Sequence, residues 1–174
     1  MANLSSYLPD GIDESSVQIT GGTINGTTIG ASTAAAGTFT TLLAKQSGAG
    51  ANAFAAGSSA GVTSQGENAV AVGNSAGKTS QGASAVAIGR NAGFTGQSVH
   101  GVALGNTAGH TNQGNMAVAV GLQAGETSQG DEAVAIGYLA GQTSQGEKTV
   151  SVGHYAGYAS QGTYGVGVGY NAGK

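Results

Sequence analysis

The residues with the clearest chemical promise are Gly77-Lys78-Thr79, within the stretch "VAVGNSAGKTSQG". A phosphate-binding loop has the form G-x-x-x-x-G-K-[ST], in which backbone N–H groups wrap the phosphates and a helix N-terminus follows. Here the first glycine would have to be residue 72, which is Val72, and Gly73 stands one position too late. The segment after Thr79, "SQGASAVAIG", alternates like a strand and offers no helix. The histidines are the next possibility. His100, His110 and His154 recur with no carboxylate pair, and a surface histidine without partners is ordinarily solvated rather than catalytic. No cysteine is present, so there is neither a disulfide framework nor a thiolate metal site. The five Lys and Arg residues are scattered, which argues against a nucleic-acid partner, since phosphate binding needs basic clusters. The chain is therefore expected to be a non-enzyme with no catalytic, metal or cofactor-binding residues.

The elements that carry these residues explain them better. The chain has 174 residues, of which 34 are Gly and 1 is Pro, with only 7% charged and a net charge of −3. Leu, Ile, Val and Phe make up under a fifth of it, yet the high charge of a disordered chain is missing. No apolar run approaches the ~18 residues of a membrane helix, so no membrane insertion is expected.

A 16-residue repeat dominates. Glycine recurs from Gly57 through Gly73 and Gly89 to Gly169, and an Ala-Gly pair follows three residues later each time, as in Ala76-Gly77. Four residues further on comes glutamine, at Gln65, Gln81, Gln97, Gln113, Gln129, Gln145 and Gln161. Lys78 sits in a column that reads Val62, Lys78, Phe94, His110, Glu126, Gln142 and Tyr158, so "GKT" is an accident of one copy and Lys78 an outward-facing lysine. The segment "AVAIG" has the period-2 alternation of a strand. Its larger residues form two columns, one through Val70, Val86, Val102 and Val118, the other through Val72, Ile88, Leu104 and Val120. The residue between them points to the opposite face.

A single unit cannot bury its own face, but stacked units can, which predicts an all-β parallel β-roll or β-solenoid of about eight 16-residue coils. The Val/Ile columns are expected to fill the inside of the coil. The Ala column Ala71, Ala87, Ala103, Ala119 and Ala135 is then expected to lie against a neighbouring subunit. The glutamine column is expected to form a stacked amide ladder, each side chain bonded to the copies above and below. The fixed glycines mark positions of positive φ or close backbone approach.

Units such as "SAVAIGRNAG", "EAVAIGYLAG" and "NMAVAVGLQAG" resemble the head repeats of trimeric autotransporter adhesins of the YadA type, over about Ala53 to Lys174. That resemblance implies a left-handed β-roll with three chains side by side, although the family's usual unit is a little shorter than 16 residues. Upstream, "VQITGGTINGTTIGASTAAAGTFTTLLA" (Val17 to Ala44) is similar to segments of phage tail fibres and other virion proteins, where it precedes a repetitive shaft. Its apolar positions, split by Gly-Gly and Asn-Gly turns, are also β-like in their own right. The expected organisation is an N-terminal virion-attachment arm and β-rich segment over 1–48, then the β-roll over 49–174.

The N-terminus has no basic n-region and no apolar h-region of a secretory signal, and the chain stops in mid-repeat at "YNAGK". Together the two resemblances lead to the expectation of a non-enzymatic phage virion structural protein: a fibre, spike or head-decoration protein. It would be made in the host cytoplasm, form a homotrimer, dock on other virion proteins through its N-terminal segment, and contact a host-surface glycan or protein. Two alternatives stand beside this reading. One is a bacterial-type surface adhesin head. The other is an ice-binding β-solenoid, suggested by the column Thr63, Thr79, Thr95, Thr111, Thr127 and Thr143. Five of the six tyrosines follow position 137, and Tyr155, Tyr158, Tyr164 and Tyr170 mark either a contact surface at the tip or a cap over the last coil.

Overall fold

The computed structural model describes residues 49–173. The predicted attachment arm, residues 1–48, lies outside the described residues. What is described is an all-β solenoid of about seven turns of about 16 residues.

Each turn contributes short strands to two parallel sheets. The first sheet runs, in order, β1 (Phe54–Ala56), β3 (Val70–Val72), β5 (Val86–Ile88), β7 (Val102–Leu104), β9 (Val118–Val120), β11 (Val134–Ile136), β13 (Val150–Val152) and β14 (Val166–Val168). The second comprises β2 (Thr63–Gln65), β4 (Thr79–Gln81), β6 (Thr95–Gln97), β8 (Thr111–Gln113), β10 (Thr127–Gln129) and β12 (Thr143–Gln145). Pairing is in register with the repeat: Val70 faces Val86, Ala71 faces Ala87 and Val72 faces Ile88. A bridge from Thr143 to Ala159 carries the second sheet one step further.

The second sheet is the first departure from expectation, because the sequence pattern gives one strong strand per unit and assigns the remaining positions to turns. The cause is conformational. The middle residue of each Thr-x-Gln strand is left-handed, with φ of 54° at Ser80, 53° at Asn112 and 54° at Ser128. Such a strand is kinked at its centre. It sends Thr outward and Gln inward without the alternation of an extended run.

The second departure inverts the coil. The Ala column Ala71, Ala87, Ala103, Ala119 and Ala135 is 0% exposed in the single chain and forms the hydrophobic core with Ala60, Ala76, Ala92, Ala108, Ala124 and Ala140. It is not a subunit interface. The Val/Ile columns, expected inside, face outward: β3, β7 and β9 are each buried only at the central Ala, and Ile88 and Ile136 remain 42% and 39% exposed. The reason is space. A 16-residue turn built of three-residue strands encloses a narrow lumen, and a close-packed interior admits only side chains that fit it. Alanines and the glutamine amides fill that lumen, so the bulkier aliphatics go to the outer face.

The glycines bear the closest contacts between turns. Gly105 has φ of 131°, and a Cβ there would sit 2.5 Å from the carbonyl oxygen of Gly121. Within a turn, Gly77 has φ of 51°, and a Cβ there would sit 2.6 Å from Gln81 Oε1. Left-handed residues other than glycine also donate interturn bonds, as in Ser75 N–H to Ser58 O at 2.8 Å and Asn91 N–H to Asn74 O at 2.9 Å.

Candidate functional site

Three surfaces and one interior feature gather the predicted site residues. The interior feature is the glutamine column. All seven glutamines are buried; Gln65 to Gln145 end the strands of the second sheet, and Gln161 follows in the same register one turn beyond it. Gln81 Nε2 donates to Gln97 Oε1 at 3.1 Å, Gln97 to Gln113 at 3.0 Å, and Gln113 to Gln129 at 3.2 Å. Gln145 donates to Gln161 at 3.4 Å. The expected ladder therefore exists over these steps and is interrupted between Gln65 and Gln81 and between Gln129 and Gln145.

Each amide also crosses the lumen to the first sheet of its own coil. Gln81 donates to Val70 O at 2.9 Å, Gln113 to Val102 O at 2.8 Å and Gln145 to Val134 O at 2.9 Å. This cross-lumen bond, unlike the ladder, carried no signal in the sequence. It ties the two sheets together where alanines alone would supply little contact. At the last step of the ladder, from Gln145 to Gln161, Ser151, which replaces Ala in the inner column, takes part: Gln145 Nε2 donates to Ser151 Oγ at 3.0 Å, and Ser151 Oγ donates to Gln161 Oε1 at 2.6 Å.

The first surface is the outer face of the first sheet. Its two columns of Val, Ile and Leu run along the stack from β3 to β14, in register through every pairing. On the last strand Val166 and Val168 are 69% and 65% exposed.

The second surface is the outer face of the second sheet. Its single threonine column is flanked on one side by the left-handed residues and on the other by Lys78, Phe94, His110 and Glu126. Lys78 Nζ lies 5.1 Å from the centre of the Phe94 ring, which stacks on His110 at 4.9 Å and 2°. Lys78 and Thr79 thus lie at a strand entry, and "GKT" forms no phosphate loop. The threonine column is one residue wide and is flanked by rings and charges.

The third surface is aromatic. Tyr138, His154 and Tyr170 occupy one turn column, with ring centres 5.0 Å and 5.3 Å apart, the second pair stacked at 15°. Tyr155 meets Tyr138 edge-on at 5.6 Å and His154 at 4.6 Å, and Tyr158 lies 5.1 Å from Tyr155. The Tyr155 phenol is pushed above its ordinary range, first by burial and then by the Tyr138 phenol beside it. Of the four tyrosines singled out from the sequence, Tyr155, Tyr158 and Tyr170 join this cluster. Tyr164 lies in the opposite turn column, with Lys148 Nζ 5.8 Å from its ring centre. Tyr138 and His154 complete the cluster, and their signal was available, since both occur 16 residues from Tyr170 or from each other.

These features define a β-solenoid with an amide-laced interior and an apolar outer sheet face. Comparison with protein-family models, with curated proteins and with solved structures gave no match.

Proposed function

We propose that this chain is a non-enzymatic structural protein of a phage virion, a fibre, spike or head-decoration protein that works as a homotrimer. The observation that carries the self-association is the outer face of the first sheet. Two aliphatic columns unbroken from β3 to β14 are the kind of contiguous apolar patch that soluble proteins reserve for contact with another macromolecule. The two columns are distinct surfaces on one face. In this reading the Val70 column of one copy packs against the Val72 column of the next and each copy uses both, a heterologous contact that forms a ring when the rotation between copies closes, here after three. The interface is thus assigned to the Val/Ile/Leu columns and not to the alanines.

The virion assignment is supported by the likeness of Val17 to Ala44 to phage fibre segments. In this reading the N-terminal segment docks on other virion proteins while the solenoid projects and contacts the host surface.

The test is Val118→Asp, which places a charge on the outer face without entering the lumen. Sedimentation should show a trimer for the parent and a monomer for the variant, both with the same β-rich circular dichroism. A parent that sediments as a monomer at micromolar concentration refutes the trimer. Immunogold labelling of source particles tests the virion assignment separately.

A further inference from the structure

The C-terminal coils differ from the rest in charge as well as in aromatic content. Between Thr149 and Gly173 there is no Asp, Glu, Lys or Arg. The nearest carboxylate in Tyr158's column is Glu126, two turns away, and it is engaged by Gln123 Nε2 at 3.1 Å and by Gln142 Nε2 at 2.6 Å. Lys148, Glu132 and Glu147 belong to the opposite turn of the coil, where Lys148 pairs with Glu132 at 3.9 Å and Tyr164 N–H bonds Glu147 O.

The rings form a continuous strip because the 16-residue register sets Tyr138, His154 and Tyr170 above one another, while Tyr155 and Tyr158 brace them from the side. They lie on the turn beside the strand and leave the last coil's Val166 and Val168 open, with Tyr170 itself 74% exposed.

The chemistry of such a strip selects its ligand. An aromatic face is electron-rich and attracts weakly positive C–H groups as well as cations. The apolar face of a pyranose ring presents a set of such C–H groups. The Tyr170 hydroxyl and the exposed His154 ring supply hydrogen bonds to sugar hydroxyls around it. Among the described residues after Lys148 there is no Asp, Glu, Lys or Arg to pair with a sialic acid, phosphate or uronic acid; Lys174 lies outside the described residues. We propose that the Tyr138–His154–Tyr170 strip is a binding site for a neutral carbohydrate. The proposal rests on the host-contact role given above and names its ligand class.

Saturation-transfer NMR on the intact chain tests it, with neutral glucose-, galactose- and mannose-containing oligosaccharides beside sialylated and phosphorylated ones. The expected result is transfer from tyrosine ring protons to at least one neutral sugar. The double variant His154→Ala/Tyr170→Ser should weaken that sugar's binding at least tenfold, with the trimer and its circular dichroism unchanged. Since both side chains are exposed, folding should be insensitive to the change. Tyr164→Ser, in the opposite turn, serves as the control and should bind as the parent does. The site is overturned by transfer to no neutral sugar, by transfer to acidic sugars alone, by binding of a protein partner in its place, or by equal binding in the double variant. Sedimentation on the same samples reports the trimer independently, so a trimer that binds no sugar removes this site and leaves the assembly reading standing.

Discussion

Gln113 shows how much a single interior residue holds. Its Nε2 donates to Val102 O at 2.8 Å, to Ala117 O at 3.3 Å and to Gln129 Oε1 at 3.2 Å, while its Oε1 accepts from Gln97 at 3.0 Å. Gln113→Ala removes all of these and leaves buried groups short of partners, which should cost about 1–3 kcal/mol beyond the cavity it opens. Thermal melting checks it, and an unchanged midpoint would mean that the ladder contributes nothing. Ser151→Ala makes the opposite case. The substitution restores the alanine found at this position in most other coils, and Gln145 Nε2 already donates directly to Gln161 Oε1 at 3.4 Å, a bond that can shorten once the hydroxyl is gone. Losing both the hydroxyl and its need for a partner should therefore change stability by less than about 1 kcal/mol. The glutamine ladder was legible in the sequence because identical residues at one register must stack in a solenoid. The cross-lumen bonds to Val70 O and its equivalents were not, because nothing in a repeat period says which groups lie opposite.

At the scale of the element, Val-Ala-Val alternation establishes two faces without saying which is inside. General burial preference puts Val and Ile in the core, and in a wide sandwich that would hold. In this coil the enclosed space admits only Cβ groups and flat amides, so lumen size overrode side-chain hydrophobicity. The existence of the first sheet, its parallel pairing and its register were legible. The second sheet was not, because the left-handed residue at its centre breaks the alternation by which strands are recognised. The inversion alters what Ala103→Glu should do. On an outer alanine face the glutamate would only dissociate subunits. At a position 0% exposed within the chain it places a charge among alanines, which should cost several kcal/mol and unfold the coil. Circular dichroism and sedimentation distinguish the outcomes. Ala103→Glu should lose β signal, whereas Val118→Asp should lose only the oligomer. A folded Ala103→Glu monomer would restore the alanine-face interface.

For the solenoid as a whole, each turn touches only its neighbours, so stability is expected to be a sum of turn and interface terms rather than the property of one core. Two glycines allow this to be tested with matched lesions. Gly105 and Gly153 have φ of 131° and 129°, and a Cβ on each would sit 2.5 Å and 2.6 Å from the carbonyl oxygen of the glycine one turn on. Changing either to alanine imposes the same backbone strain, of order 1–3 kcal/mol, together with the same clash. Their places in the stack differ. The Gly105–Gly121 contact has several turns on both sides, while the Gly153–Gly169 contact has only the turn bearing β14 beyond it. Gly153→Ala should therefore release the last turn alone, and hydrogen exchange should quicken only beyond about residue 150, with little change in the main melting transition. Gly105→Ala should divide the stack into two shorter blocks, each with fewer interfaces, so that exchange quickens across the solenoid and the melting temperature falls. Equal loss of melting temperature and uniform exchange in both variants would show instead that the solenoid unfolds as one indivisible unit.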